Sequence, residues 1–116
     1  MLQHEEVMDY LMIFEQMAEF CQHYCVGENK GKFLLAVSNS LEQARKLLIP
    51  PILNGWELST ITLAEHTALE CKEDKWFVVR LAKWADKGWK TADGVGPTIR
   101  SAFIAANEEA IRKSIS

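Results

Sequence analysis

The chain has 116 residues, 48% hydrophobic and 25% charged, with a formal net charge of −3. That length fits one domain burying roughly two thirds of its unfolded surface, and the composition excludes a disordered or low-complexity chain. No apolar run approaches the roughly 20 residues of a membrane span, the start carries His4, Glu5 and Glu6 where a signal peptide needs positive charge, and three cysteines are too few for a disulfide scaffold.

A reduced, cytoplasmic protein is therefore expected, with one domain over residues 1–116. It divides into a first helix (residues 1–26) and a sheet-and-helix body (residues 32–116). Charge divides the same way. Residues 1–29 hold Glu5, Glu6, Asp9, Glu15, Glu19 and Glu28 without Lys or Arg, whereas the remainder carries 13 basic against 10 acidic residues. The first helix can thus remain a solvated acidic face or dock on a basic surface of its own or a neighbouring chain.

From Gln3 to Cys25 the spacing is helical, with no Gly or Pro. Val7, Leu11, Phe14, Ala18, Cys21 and Cys25 form one apolar stripe, and Tyr10, Ile13, Met17, Phe20 and Tyr24 form a second. A helix of about 23 residues would be about 35 Å long and would overhang a small sheet. Tyr10, Ile13, Phe14, Met17 and Phe20 are accordingly candidates for an oligomer interface, most simply a two-fold dimer. Gly27 to Gly31 read as the first loop.

Phe33 to Val37, a short apolar run bounded by turn residues, reads as a buried strand. Asn39 or Ser40 then caps a helix carrying Leu41, Ala44, Leu47 and Leu48 on its buried side, which Pro50 and Pro51 end. Trp56 to Leu63 alternates as a half-buried strand. Thr67 to Cys71 reads as a strand joined by a tight loop to the next, with a short helix over Ala64 to Cys71 as the competing reading.

Lys75 to Trp84 is the strongest strand signal in the chain. Phe77, Val79 and Leu81 occupy one face and Trp76, Val78, Arg80 and Ala82 the other, which places it centrally in a sheet covered at least partly on both sides. Asp86 to Gly88 turn into a short edge strand, Trp89 to Ala92. Asp93 to Thr98 then lead into a last helix whose Ile99, Ala102, Phe103, Ala106 and Ala110 form a small-residue face able to approach a sheet closely. The predicted fold is α+β: a mainly antiparallel sheet of four to five strands sandwiched by helices, with a long N-terminal helix.

Over about residues 40–110, the order SLEQARKLL, KWFVVRLAK and TADGVGPTIRSAFIAAN resembles the small phage-encoded α-β-α sandwich proteins. These are mostly uncharacterised, so the resemblance implies a phage source and a fold more than an activity. The long first helix departs from the compact start of that family.

Chemistry-bearing constellations are few. Cys21 and Cys25 share a helix face with Cys71 and His66 elsewhere, but a zinc site needs a second close-spaced pair, so buried thiols are the favoured reading and no metal or cofactor is expected. No serine sits in a nucleophile elbow and no carboxylate pair stands out; His66 beside Glu65 reads as a loop histidine, and an enzyme is not favoured. The GVGPT segment places Gly94, Gly96 and Thr98 before a helix, where backbone amides can hold an anion with help from Arg80 or Arg100, although a structural turn is the stronger reading. Trp76, Trp84 and Trp89 interleave with Lys and Arg in the manner of a base-stacking surface. The acidic total argues against nucleic acid, leaving a nucleotide-like or phosphate-bearing small ligand as the alternative. The favoured function is a non-enzymatic interaction protein that self-associates and binds a partner protein.

Overall fold

The computed structural model describes residues 2–20, 28–63 and 77–115. Along them run helices α1 (Leu2–Phe20) and α2 (Glu28–Arg45), strands β1 (Glu57–Leu63), β2 (Phe77–Ala85) and β3 (Gly88–Gly96), and helix α3 (Ile99–Ile115). The strands form one antiparallel sheet in the order β1-β2-β3. The α+β class holds, with three described strands in place of the predicted four to five. The expected Thr67 to Cys71 strand, like Cys71, His66, Lys75 and Trp76, lies outside the described residues.

β2 is the central strand, as its composition requires. Phe77, Val79 and Leu81 are buried, together with Ile61 of β1 and Ala92 of β3. α1 and α3 lie over that face: the Phe14 ring of α1 meets Phe77 at a centroid distance of 6.1 Å, and the backbone of α3 lies against Gly94 of β3. On the other face Thr60, Thr62, Arg80, Trp84, Trp89, Thr91, Asp93 and Val95 are exposed. Among the described residues the helices lie on one face of the sheet, where the sandwich reading expected them on both. The reason is local: polar side chains occupy most of the outward positions of β1 and β3, and an antiparallel sheet tolerates one wet face.

The stripe Val7, Leu11 and Phe14 seats α1 in the core, and the second stripe turns outward, with Tyr10 half-buried and Ile13 exposed. At 19 residues the described helix is shorter than the expected 23, about 28 Å long. Its continuation toward Cys25 lies outside the described residues.

Phe33 to Val37 is not a strand but part of α2, as are Glu28 to Gly31, which the sequence reading placed in a loop. Five consecutive apolar residues fit either period, and only continuation decides. Here Ala36, Val37, Ser40, Leu41 and Ala44 are buried at helical spacing. Ser40 is thus mid-helix rather than a cap of its own helix. α2 closes with Leu47 in the left-handed region (φ 57°), Leu48 N–H donating to Gln43 O at 2.9 Å and Leu47 N–H to Ala44 O at 3.1 Å. This is the paired-carbonyl termination that glycine usually serves. It turns Leu47 and Leu48 outward, against the expectation that they line the buried side.

The loop after α2 is tied to α3. Asn107 Oδ1 accepts from Leu53 N–H at 3.0 Å, its Nδ2 donates to Pro51 O at 3.1 Å, and the Trp56 indole donates to Ser114 Oγ at 3.3 Å. These bonds set the start of β1 against the body of the domain.

Candidate functional site

The GVGPT segment is built for packing. β3 continues through Gly96, so Gly94 and Gly96 lie in a strand and not in the predicted loop. A Cβ on Gly94 would overlap the backbone of α3 at Ala102 O and Ala106 N and lie 2.7 Å from Ala106 Cα; one on Gly96 would lie 2.8 Å from Ala102 N. The two glycines and the Ala102, Ala106, Ala110 face are halves of one close strand-to-helix contact.

The start of α3 is fully served by protein acceptors. Thr98 and Ser101 cap one another: Ser101 N–H donates to Thr98 Oγ1 at 3.3 Å and Thr98 N–H to Ser101 Oγ at 3.1 Å. Ile99 N–H donates to the buried Ser40 hydroxyl at 3.0 Å, and Arg100 N–H to Gln43 Oε1 at 3.4 Å. Ser40 in turn donates to Ala36 O at 2.7 Å, and Arg100 Nε donates to Leu48 O at 3.1 Å. One helix therefore caps the next, and an anion at Thr98 would have to displace these bonds. Ser40 and Gln43 carry no sequence signal for this role, because Ser40 stands 59 residues from the amide it serves.

The exposed sheet face holds the remaining candidates. Trp84 and Trp89, cross-strand partners at the β2–β3 end, stand edge to face with centroids 5.2 Å apart and are 61% and 58% exposed. Arg80 is paired across the strands with Asp93 through two bonds, Nε to Oδ1 at 2.9 Å and an NH2 to Oδ2 at 3.1 Å. Those hydrogen bonds hold the Asp93 carboxyl below the ordinary aspartate range; partial burial opposes them, and the charges of Arg80 and Lys113 add to them. The same pairing raises Arg80. Its guanidinium is thus already neutralised by an aspartate that the sequence reading did not assign to the site.

Beside Trp89 lies a shallow depression of about 320 Å³ lined by Glu57, Ser59, Ala82, Trp89 and Thr91. The β1–β2 register shifts between Leu58 and Thr60, a bulge that places Ser59 at this rim. Trp84, Trp89 and Arg80 thus share one face, while Gly94, Gly96, Thr98 and Arg100 serve the packing and capping of α3. These seven ligand candidates split between two sides of the sheet, and Trp76 and the side chains of Met17 and Phe20 lie outside the described residues.

Of the interface candidates on α1, Phe14 belongs to the core and Tyr10 packs beside it at 6.4 Å between rings. Ile13 is 53% exposed, and Met12, not singled out from the sequence, is 50% exposed next to it. Among the described residues no group of His, Cys, Asp or Glu could hold a metal ion, and no helix is long and apolar enough to cross a membrane. No family model, curated protein or solved structure matches the chain.

Proposed function

We propose that the chain is a non-enzymatic interaction protein of the cytoplasm that self-associates through the outward side of α1 and binds a partner protein. The observation that carries this reading is the pair Met12 and Ile13, both at least half exposed on a helix whose opposite stripe is sealed in the core. Burying such a side chain is worth about 1.5–3 kcal/mol, and association recovers what the monomer leaves in water. The resemblance of residues 40–110 to small phage-encoded sandwich proteins supports a phage source, and with it a host protein as the partner. Light scattering across the micromolar range tests self-association: the mass should climb above 13.2 kDa as concentration rises. A mass that stays at the monomer value would end this reading.

The depression beside Trp89 supports a second reading, a small-ligand binder. Its lining of one aromatic wall, the Ala82 methyl and the polar Glu57, Ser59 and Thr91 suits a ligand with a flat apolar face and hydroxyl groups. Because Arg80 is paired with Asp93, a phosphate gains little from it. Tryptophan quenching and thermal stabilisation with millimolar nucleotides and nucleosides are the test. No response to any of them would remove the ligand reading and leave the first untouched.

A further inference from the structure

The depression beside Trp89 follows from the strand register. On the open face of the sheet three cross-strand rows succeed one another: Trp84 with Trp89, then Ala82 between Glu57 and Thr91, then Arg80 between Thr60 and Asp93. The Ala82 methyl, 8% exposed, is a low floor between two rows of long side chains. At the usual spacing between neighbouring strands, Glu57 and Thr91 stand roughly 10 Å apart across that floor.

The lining has two unlike ends. On β3 stands the Trp89 indole, held by its edge-to-face contact with Trp84 at 5.2 Å. On β1, across Ala82, stands the Glu57 carboxylate, with the Ser59 and Thr91 hydroxyls at the sides. Among the described residues no ion pair engages Glu57. A carboxylate only accepts, and its two oxygens suit a pair of neighbouring O–H donors, whereas each hydroxyl can donate or accept. Of the five lining residues only Glu57 is charged. The nearby cations are engaged: Arg80 is bonded to Asp93, and Lys113 donates to the Thr91 carbonyl and acts on Asp93. A phosphate placed here would meet a carboxylate of its own sign.

Resting on the small-ligand reading above, we infer that the depression binds an unphosphorylated ribonucleoside, with its base on Trp89 and its vicinal ribose hydroxyls donating to Glu57. Every base has a π-face that stacks on an indole, and an acidic side chain accepting from a ribose hydroxyl is a recurrent means of holding that sugar. Ser59 and Thr91 meet the polar edge of the base from either side. A deoxyribose offers Glu57 one donor in place of two, and a phosphate ester adds charge beside that carboxylate. The site therefore selects the ribonucleoside over both.

Thermal melting and NMR shifts of the indole N–H groups, recorded on the full chain with millimolar adenosine, deoxyadenosine and adenosine monophosphate, test this. Adenosine should raise the melting temperature and move the Trp89 resonance, and the other two should bind about tenfold more weakly. Trp89→Ala and Ala82→Val, the second filling the floor, should each abolish binding. Glu57→Gln should weaken adenosine to the level of deoxyadenosine and leave deoxyadenosine unchanged, a split that general damage to the fold would not produce. Glu57 is exposed, so this variant keeps the test decisive even where Ala82→Val fails to fold by circular dichroism. Deoxyadenosine or the monophosphate binding as tightly as adenosine would overturn the inference while the ligand reading stands. Adenosine binding that survives Trp89→Ala or Glu57→Gln overturns it as well. No response to any of the three compounds removes this inference and the ligand reading together.

Discussion

Gly94 and Ser40 carry disproportionate weight for residues without functional groups of their own or with only a hydroxyl. At Gly94 the neighbour of a new Cβ is helix backbone at Ala102 and Ala106, which cannot rotate away as a side chain would. Gly94→Ala is expected to destabilise the fold by about 3 kcal/mol or more, since α3 must lift from β3 along its whole small-residue face. Urea denaturation read by tryptophan fluorescence measures this directly. Ser40 is fully buried and serves as acceptor for the first amide of α3. Ser40→Ala leaves that amide without an acceptor and should cost about 2 kcal/mol, within the range for a lost cap and an orphaned buried donor. Exchange of the Ile99 amide should accelerate more than that of amides in the middle of α2. A loss under about 0.5 kcal/mol would show that the bond contributes little.

The two sides of α1 make opposite demands on substitution. Phe14 contacts Phe77 in the core, so Phe14→Ala should cost about 3–5 kcal/mol in unfolding experiments. Ile13, one residue earlier and facing out, should tolerate alanine within about 0.5 kcal/mol of stability, while self-association drops. If Ile13→Ala proved the more destabilising of the two, the helix would be rotated from the orientation described. Similar arithmetic of faces governs α3, where Ile99, Ala102, Phe103, Ala106 and Ala110 are buried and Ile104 and Ile111 are exposed. Both amphipathic patterns were legible in the sequence because a period near four identifies a helix face without knowledge of what covers it. Which of the two α1 stripes met the core was not legible, since both are apolar and only the position of Phe77 distinguishes them.

Across the molecule, the last turn of α3 is tied to the backbone of the edge strand β3. Lys113 Nζ donates to the Thr91 carbonyl, and its charge helps lower Asp93, which also accepts from Arg80. A lysine over the outer strand in this way occupies an edge that other chains could otherwise extend. Because the folded carboxyl of Asp93 titrates below its unfolded value of about 3.9, its contribution to stability is fully present above that pH and is lost as pH falls through the lower, folded value. Melting temperatures of wild type and Asp93→Asn should therefore differ at pH 7 and converge as the pH falls through the lowered, folded value of Asp93. A gap that persisted or widened in acid would place the effect elsewhere than on this carboxylate. The sequence by itself determined the central place of β2, the amphipathic character of α1 and α3 and the acidic bias of the first helix, because each is a local property of spacing or composition. The tertiary structure alone decided that Phe33 to Val37 continues a helix, since a five-residue apolar run satisfies both periods until its neighbours are placed. It also decided the use of Gly94 and Gly96: a missing side chain admits a phosphate or a helix equally well, and only the position of α3 over β3 selects the helix.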